Sequence, residues 1–134
     1  MRLYLDSAPV IYLVEQVAPY SAMVDARLQA PGVAQVVSDL TRMECRVKPV
    51  RDSDSDLLRD FDDYFADSIS ETIALSSAVM DEATRIRATY GFSTPDAVHL
   101  AAAVIAGRDA FLTNDHRLDR FAGLPVEVVG SARP

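Results

Sequence analysis

Apolar and polar positions along this chain switch repeatedly between a two-residue and a three-to-four-residue spacing, the marks of strands and of helices. Residues 2–5, Arg-Leu-Tyr-Leu, predict a short strand ending at Asp6. Ser7 is placed to cap a helix that tolerates Pro9 in its first turn and runs to about Gln16. Pro19 to Ala30 predicts a second helix, stopped by Pro31-Gly32, and the β-branched run Val33 to Val37 a strand. Asp39 to Val47 predicts a helix with Leu40, Met43, Glu44 and Val47 along one side, ended or kinked by Pro49. Leu57, Leu58, Phe61, Tyr64 and Phe65 give helical spacing to the next segment, and Ile69 to Leu75 predicts a short strand. Ser76 to Tyr90 reads as a helix with Gly91 as its stop. Thr94-Pro95-Asp96 is a helix start, with cap, proline and first-turn acid, and that helix runs to about Ala106. A strand over Ala110 to Thr113, a helical piece over Asp115 to Phe121 and a strand over Val126 to Val129 complete the pattern.

Strands separated by helices predict a parallel sheet covered on both faces. The expected fold is therefore α/β: a three-layer sandwich whose central, mostly parallel sheet of four to five strands is flanked by helices. The 134 residues carry no repeat or linker, and fit one domain over 1–134. A composition 49 % hydrophobic and 25 % charged excludes disorder and a disulfide scaffold. The one cysteine, Cys45, cannot form an internal bridge, which suits a reducing compartment. No run reaches the roughly 18 apolar residues of a membrane span, and Asp6 comes too early for a signal-peptide core. The expectation is a cytoplasmic protein with no membrane association.

Net charge is −7, but it is concentrated. Residues 52–67 hold seven aspartates and one arginine, a net −6, and the remainder of the chain is close to neutral. That remainder includes a basic cluster of Arg42, Arg46, Lys48 and Arg51, so a polyanionic ligand on another face is compatible with the total. The acidic run itself reads as a solvated helix face.

In open parallel sheets, ligands gather at the carboxyl ends of the strands. Asp6 closes the first strand there and Asp115 follows the strand Ala110–Thr113, while Glu44 and Asp96 lie on helices that could face the same edge. Singly, each has a plain structural role: a strand-end turn for Asp6, dipole complementation for Asp96, a helix cap for Asp115, a surface charge for Glu44. Four carboxylates converging in one cleft, however, cannot all ionise without a counter-charge. A hard divalent cation, Mg²⁺ or Mn²⁺, removes that conflict, and an all-oxygen donor set favours it over zinc. Such ions in acidic clefts serve phosphoryl chemistry, and Thr113, two residues before Asp115, is placed to help orient a water. His99, inside an alanine-rich helix, reads as a satisfied core or edge histidine, His116 as a surface residue and Cys45 as a buried, inert thiol. No P-loop, GxGxxG or GxSxG occurs. A receiver-type phosphate module lacks its late lysine, since Lys48 is the only one.

Four segments, Tyr4-Leu5-Asp6-Ser7, Leu40-Thr41-Arg42-Met43-Glu44-Cys45, Thr94-Pro95-Asp96-Ala97-Val98-His99-Leu100-Ala101 and Phe111-Leu112-Thr113-Asn114-Asp115, occur in the order and spacing of the PIN domain. The chain resembles specifically the VapC-type toxins of bacterial toxin–antitoxin pairs, over nearly its whole length and with no expected acid missing. The resemblance implies a metal-dependent endoribonuclease that leaves 5′-phosphate and 3′-hydroxyl ends. It also implies Asp6, Glu44, Asp96 and Asp115 as metal-binding acids, Thr113 as the polar helper, a homodimer, and a cognate VapB-type antitoxin that occludes the cleft. Arg42, Arg46, Arg117 and Arg120 are candidates to line the cleft rim and hold RNA phosphates, with ordinary solvated arginine as the alternative. A structure-specific DNase and a non-catalytic interaction module are the rival readings.

Overall fold

The computed structural model describes residues 1–130; the last four residues of the expected domain, 131–134, lie outside the described residues. Five strands, β1 (Arg2–Leu5), β2 (Ala34–Ser38), β3 (Glu71–Ile73), β4 (Ala110–Thr113) and β5 (Val126–Val128), form one sheet in the order β3-β2-β1-β4-β5. Every neighbouring pair is parallel. Six helices surround it: α1 (Ser7–Val14), α2 (Tyr20–Leu28), α3 (Asp39–Arg51), α4 (Ser55–Asp67), α5 (Ser77–Tyr90) and α6 (Thr94–Ile105), with a 3₁₀ helix at His116–Arg120. This is the expected three-layer arrangement, with the larger of the two expected strand counts.

The two-residue period of the strands builds the layers. Leu3 and Leu5, Val37 and Leu112 pack with Val10, Val24, Leu28, Cys45 and Phe61 against the sheet face covered by α1–α4. Tyr4, Val36 and Phe111 point the other way and pack with Val79, Ile86, Val98 and Leu100 from α5 and α6. Both sides of β1 and β4 are therefore covered, which is why their sequences are near-continuous apolar runs. Complete burial of side chains such as Phe61, Phe111 and Leu100 stabilises the fold by roughly 1.5–3 kcal/mol each. Along α6, residues Ala97 to Ala103 are buried all round, and the small alanines let this helix press between the sheet and α5.

Several local expectations are corrected. The cap of α1 is Asp6 rather than Ser7, and that of α6 is Ser93 rather than Thr94. The helix α3 continues through Pro49 to Arg51, because the proline loses only the bond its own amide would have donated, while Asp52 and Asp54 still donate to the carbonyls of Lys48 and Pro49. Its buried side is Thr41, Cys45 and Pro49; Met43 and Val47 are exposed. The segment Ile69 to Leu75 is strand only over Glu71–Ile73.

The strand order matters for function. From β1 the chain moves outward through β2 to β3, then returns to the other side of β1 with β4 and β5. The order reverses between β1 and β4, so the crevice beyond their carboxyl ends is the topological switch point, where open α/β sheets hold their ligands. Leu5 is in register with Leu112, which sets Asp6 and Thr113 side by side at the carboxyl ends of β1 and β4. No described helix is long and apolar enough to cross a membrane.

Candidate active site

Asp6 leaves β1 extended and caps α1, with Oδ1 accepting from the Ser7 amide at 2.8 Å. Its own amide donates to the Leu112 carbonyl at 2.9 Å, so the backbone here is still clamped to β4. The other carboxylate oxygen, Oδ2, accepts a 2.7 Å hydrogen bond from Thr113 Oγ1. Thr113 is fully buried, and the same hydroxyl accepts from the Asp115 amide at 3.1 Å. One β-branched residue thus fixes both the Asp6 carboxylate and the turn that carries Asp115.

Glu44 reaches the crevice from the middle of α3. Its Oε1 accepts from Ser7 Oγ at 2.6 Å and from His99 Nε2 at 2.6 Å. Burial pushes the Glu44 carboxyl up, but the hydrogen bonds from His99 and Ser7 and the electrostatic influence of His99 outweigh it and hold the carboxyl below its ordinary value. His99 is 1 % exposed, its Nε2 also lies 3.5 Å from Asp6 Oδ1, and its Nδ1 is hydrogen-bonded to the Tyr4 hydroxyl at 2.7 Å. Among the described residues, donor atoms of Asp6, Glu44 and His99 form a group lying within 4.8 Å of one another.

Asp96 and Asp115 lie outside that group. Burial raises the Asp96 carboxyl above its ordinary value; the Ser93 hydroxyl opposes the shift and the charges of Asp6 and Asp115 add to it. Asp115 caps the 3₁₀ helix through the Arg117 amide and is gripped by the Arg117 guanidinium, with Nη2 2.6 Å from Oδ2. That side-chain bond is the main cause of the lowered Asp115 carboxyl, against a smaller effect of burial. Asp6, Glu44 and His99 are thus brought together, with Thr113 bonded to Asp6, while Asp96 and Asp115 stand outside that group and the Asp6 and Asp115 charges act on Asp96.

Sequence reasoning missed His99 as part of this cluster. An i, i+3 offset from Asp96 on one helix was the available signal. Arg42 and Arg46 pair with Asp62 of α4 at 3.8 and 2.8 Å, and Arg120 lies over the Phe92 ring, 4.4 Å from its centroid. Arg117 is the one candidate arginine bonded to a candidate site acid. His116 is exposed and Cys45 buried, as read from the sequence, and burial pushes the Cys45 thiol up.

The donor set is chemically coherent. Carboxylate and hydroxyl oxygens at a switch point, with Asp96 held toward its neutral form by burial and neighbouring acids, are the environment a hard divalent cation would neutralise.

Comparison with known proteins agrees with this architecture. No curated protein sequence matches the chain. Solved structures do: VapBC2 from Rickettsia felis bound to a promoter DNA fragment (TM-score 0.78, 16 % identity, covering 96 % of this chain and 99 % of that one). A toxin–antitoxin complex from Klebsiella pneumoniae is similar as well (TM-score 0.75, 18 % identity, 91 % and 94 % covered). So is Mycobacterium tuberculosis VapC20, a Sarcin-Ricin loop cleaving toxin (TM-score 0.72, 10 % identity, 92 % and 98 % covered). At these identities the likeness is one of fold. The PIN domain family matches residues 3–124, nearly all of the described sequence, and with that match the chain belongs to the PIN domain family.

Proposed function

We propose that this chain is a metal-dependent endoribonuclease, the toxin of a VapBC-type pair, folded as a single domain over 1–134. The observation that carries the reading is the meeting of Asp6 and Glu44 around His99, with Thr113 fixing Asp6, at the switch point between β1 and β4. The charges of Asp6 and Asp115 in turn raise the Asp96 carboxyl, after burial.

Asp6 and Glu44, with Asp96 and Asp115, would hold Mg²⁺ or Mn²⁺. When bound, such an ion supplies Lewis-acid polarisation of a phosphodiester and a water of lowered pKa. The chain's own contribution is positional. Thr113 holds Asp6 in one orientation from below, and Ser7 and His99 hold Glu44 from two sides. These fixed oxygens leave little to reorganise when a phosphate arrives, which is how preorganised sites lower a barrier. Arg117, exposed beside Asp115, is the cation placed to meet an incoming phosphate. RNA, a second copy of the chain and a VapB-type antitoxin covering the crevice are the partners this reading entails, and the cytoplasm its location.

The test is incubation of antitoxin-free protein with total RNA and with DNA of the same sequence, with Mn²⁺ or with chelator, and mapping of the product ends. Cleavage of RNA that requires metal, leaves 5′-phosphates and is lost in Asp6→Asn is the expected result. Cutting of DNA alone, or of no cellular RNA, overturns the proposal.

A further inference from the structure

Behind the acids runs a buried chain of polar contacts for which a nuclease needs a reason. The Tyr4 ring is fully buried on the α5–α6 side of the sheet, stacked on Phe111 at 5.2 Å. Its hydroxyl is hydrogen-bonded to Ser38 Oγ at 2.8 Å and to His99 Nδ1 at 2.7 Å. Ser38, the cap of α3, accepts from the Leu40 amide. Through Tyr4, the imidazole therefore links Ser38 at the root of α3 to the carboxylate of Glu44 further along the same helix. Because Nε2 faces a carboxylate, which can only accept, it carries the proton of that bond. With no lone pair free, Nε2 serves the site as a donor to its acid and not as a ligand.

We infer that His99, held by Tyr4, is the positioning residue for Glu44, fixing that carboxylate for cation binding from behind. The inference rests on the proposed metal-dependent function and adds a residue to it. A buried polar network of this kind is costly unless each member is satisfied. Here one ring satisfies Tyr4 and Glu44 together, and the Asp6 carboxylate lies within 3.5 Å of the same nitrogen. Groups that orient a metal-binding side chain in this way typically change metal affinity by about 10–100-fold when removed.

The test is Mn²⁺ affinity by isothermal titration for the full chain and for His99→Ala, His99→Gln and Tyr4→Phe, each checked by metal-free thermal unfolding. His99→Ala should bind Mn²⁺ at least about tenfold more weakly. His99→Gln, whose amide offers an N–H at similar reach, should recover most of the loss, and Tyr4→Phe should fall between. Nitrogen-15 NMR of the imidazole should show the Nε2 proton both without metal and at saturating Mg²⁺. Unchanged affinity in a folded His99→Ala protein overturns the inference, as does failure of a folded His99→Gln protein to recover. Loss of the Nε2 proton on Mg²⁺ binding also overturns it, by making His99 a ligand. A wild-type protein that binds no Mn²⁺ overturns the functional proposal, and this inference with it.

Discussion

Thr113 Oγ1 donates to Asp6 Oδ2 across 2.7 Å, joining the ends of two adjacent parallel strands whose residues lie 107 positions apart in the chain. The same oxygen accepts from the Asp115 amide, so replacing Thr113 by Val removes two bonds from a fully buried place. Thr113→Val should destabilise the fold by about 1–3 kcal/mol and weaken Mn²⁺ binding about 10–100-fold. Thr113→Ser, which keeps the hydroxyl, should retain most of both. Chemical denaturation and calorimetric titration check the two effects separately.

Metal binding should be visible as stability. At a Mg²⁺ or Mn²⁺ concentration 100 times its dissociation constant, a ligand that binds only the folded chain adds about 2.7 kcal/mol. For a domain of this size that corresponds to a rise in Tm on the order of 10 °C. The rise should vanish in Asp6→Asn, and differential scanning fluorimetry across a metal series decides the matter.

If Asp96 helps hold the cation, as proposed, it trades stability for that role. Its carboxyl is raised by burial and by the Asp6 and Asp115 charges. A raised folded-state value means stability present at low pH that is lost as pH climbs through that value. Metal-free Asp96→Asn should therefore be more stable than wild type at pH 7, by up to about 1 kcal/mol once screening of this half-exposed group is allowed for. The two proteins should converge on acidification, while the variant binds Mn²⁺ more weakly. Glu44 and Asp115, with lowered carboxyls, act in the opposite sense in both proteins, losing their contribution as pH falls, and cancel from the comparison. Urea unfolding as a function of pH reads the difference; a variant less stable than wild type at neutral pH contradicts it.

Arg117 competes for Asp115. The guanidinium is three-quarters exposed and bidentate on the carboxylate. Arg117→Ala should raise cation affinity by about two- to fivefold, the modest scale of an exposed pair, and raise KM for RNA if the side chain also meets phosphate. The affinity gain should shrink with added salt.

Much of this was legible in the residues, and the exceptions have physical causes. The strand Ala110–Thr113 and the helix ending at Tyr90 before left-handed Gly91 follow from apolar runs and a stop residue that local chemistry dictates. The acids at the strand ends were found because parallel topology fixes where strand ends lead. The face of α3 was not legible: Met43 and Val47 look like core by hydrophobicity, yet the sheet side is taken by Thr41 and Cys45, whose polar atoms bond to Leu5 and Ser7 carbonyls. His99 was not legible for a related reason. Its partners Tyr4 and Glu44 are 95 and 55 residues away, and neither periodicity nor spacing reports a contact made only in three dimensions. The pairing of Arg42 and Arg46 with Asp62 likewise depends on how α3 and α4 dock.

The reversal of strand order between β1 and β4 carries a temporal consequence. Any intermediate along synthesis or folding that contains β1 through α5 holds Asp6 and Glu44 but neither His99 nor Thr113. The β1–β4 seam pairs the strands farthest apart in the chain, so its closure cost is the largest in the sheet, though by only about 1 kcal/mol over β1–β2. A chain that ends before α6 and β4 therefore carries Asp6 and Glu44 without the side chains that fix them.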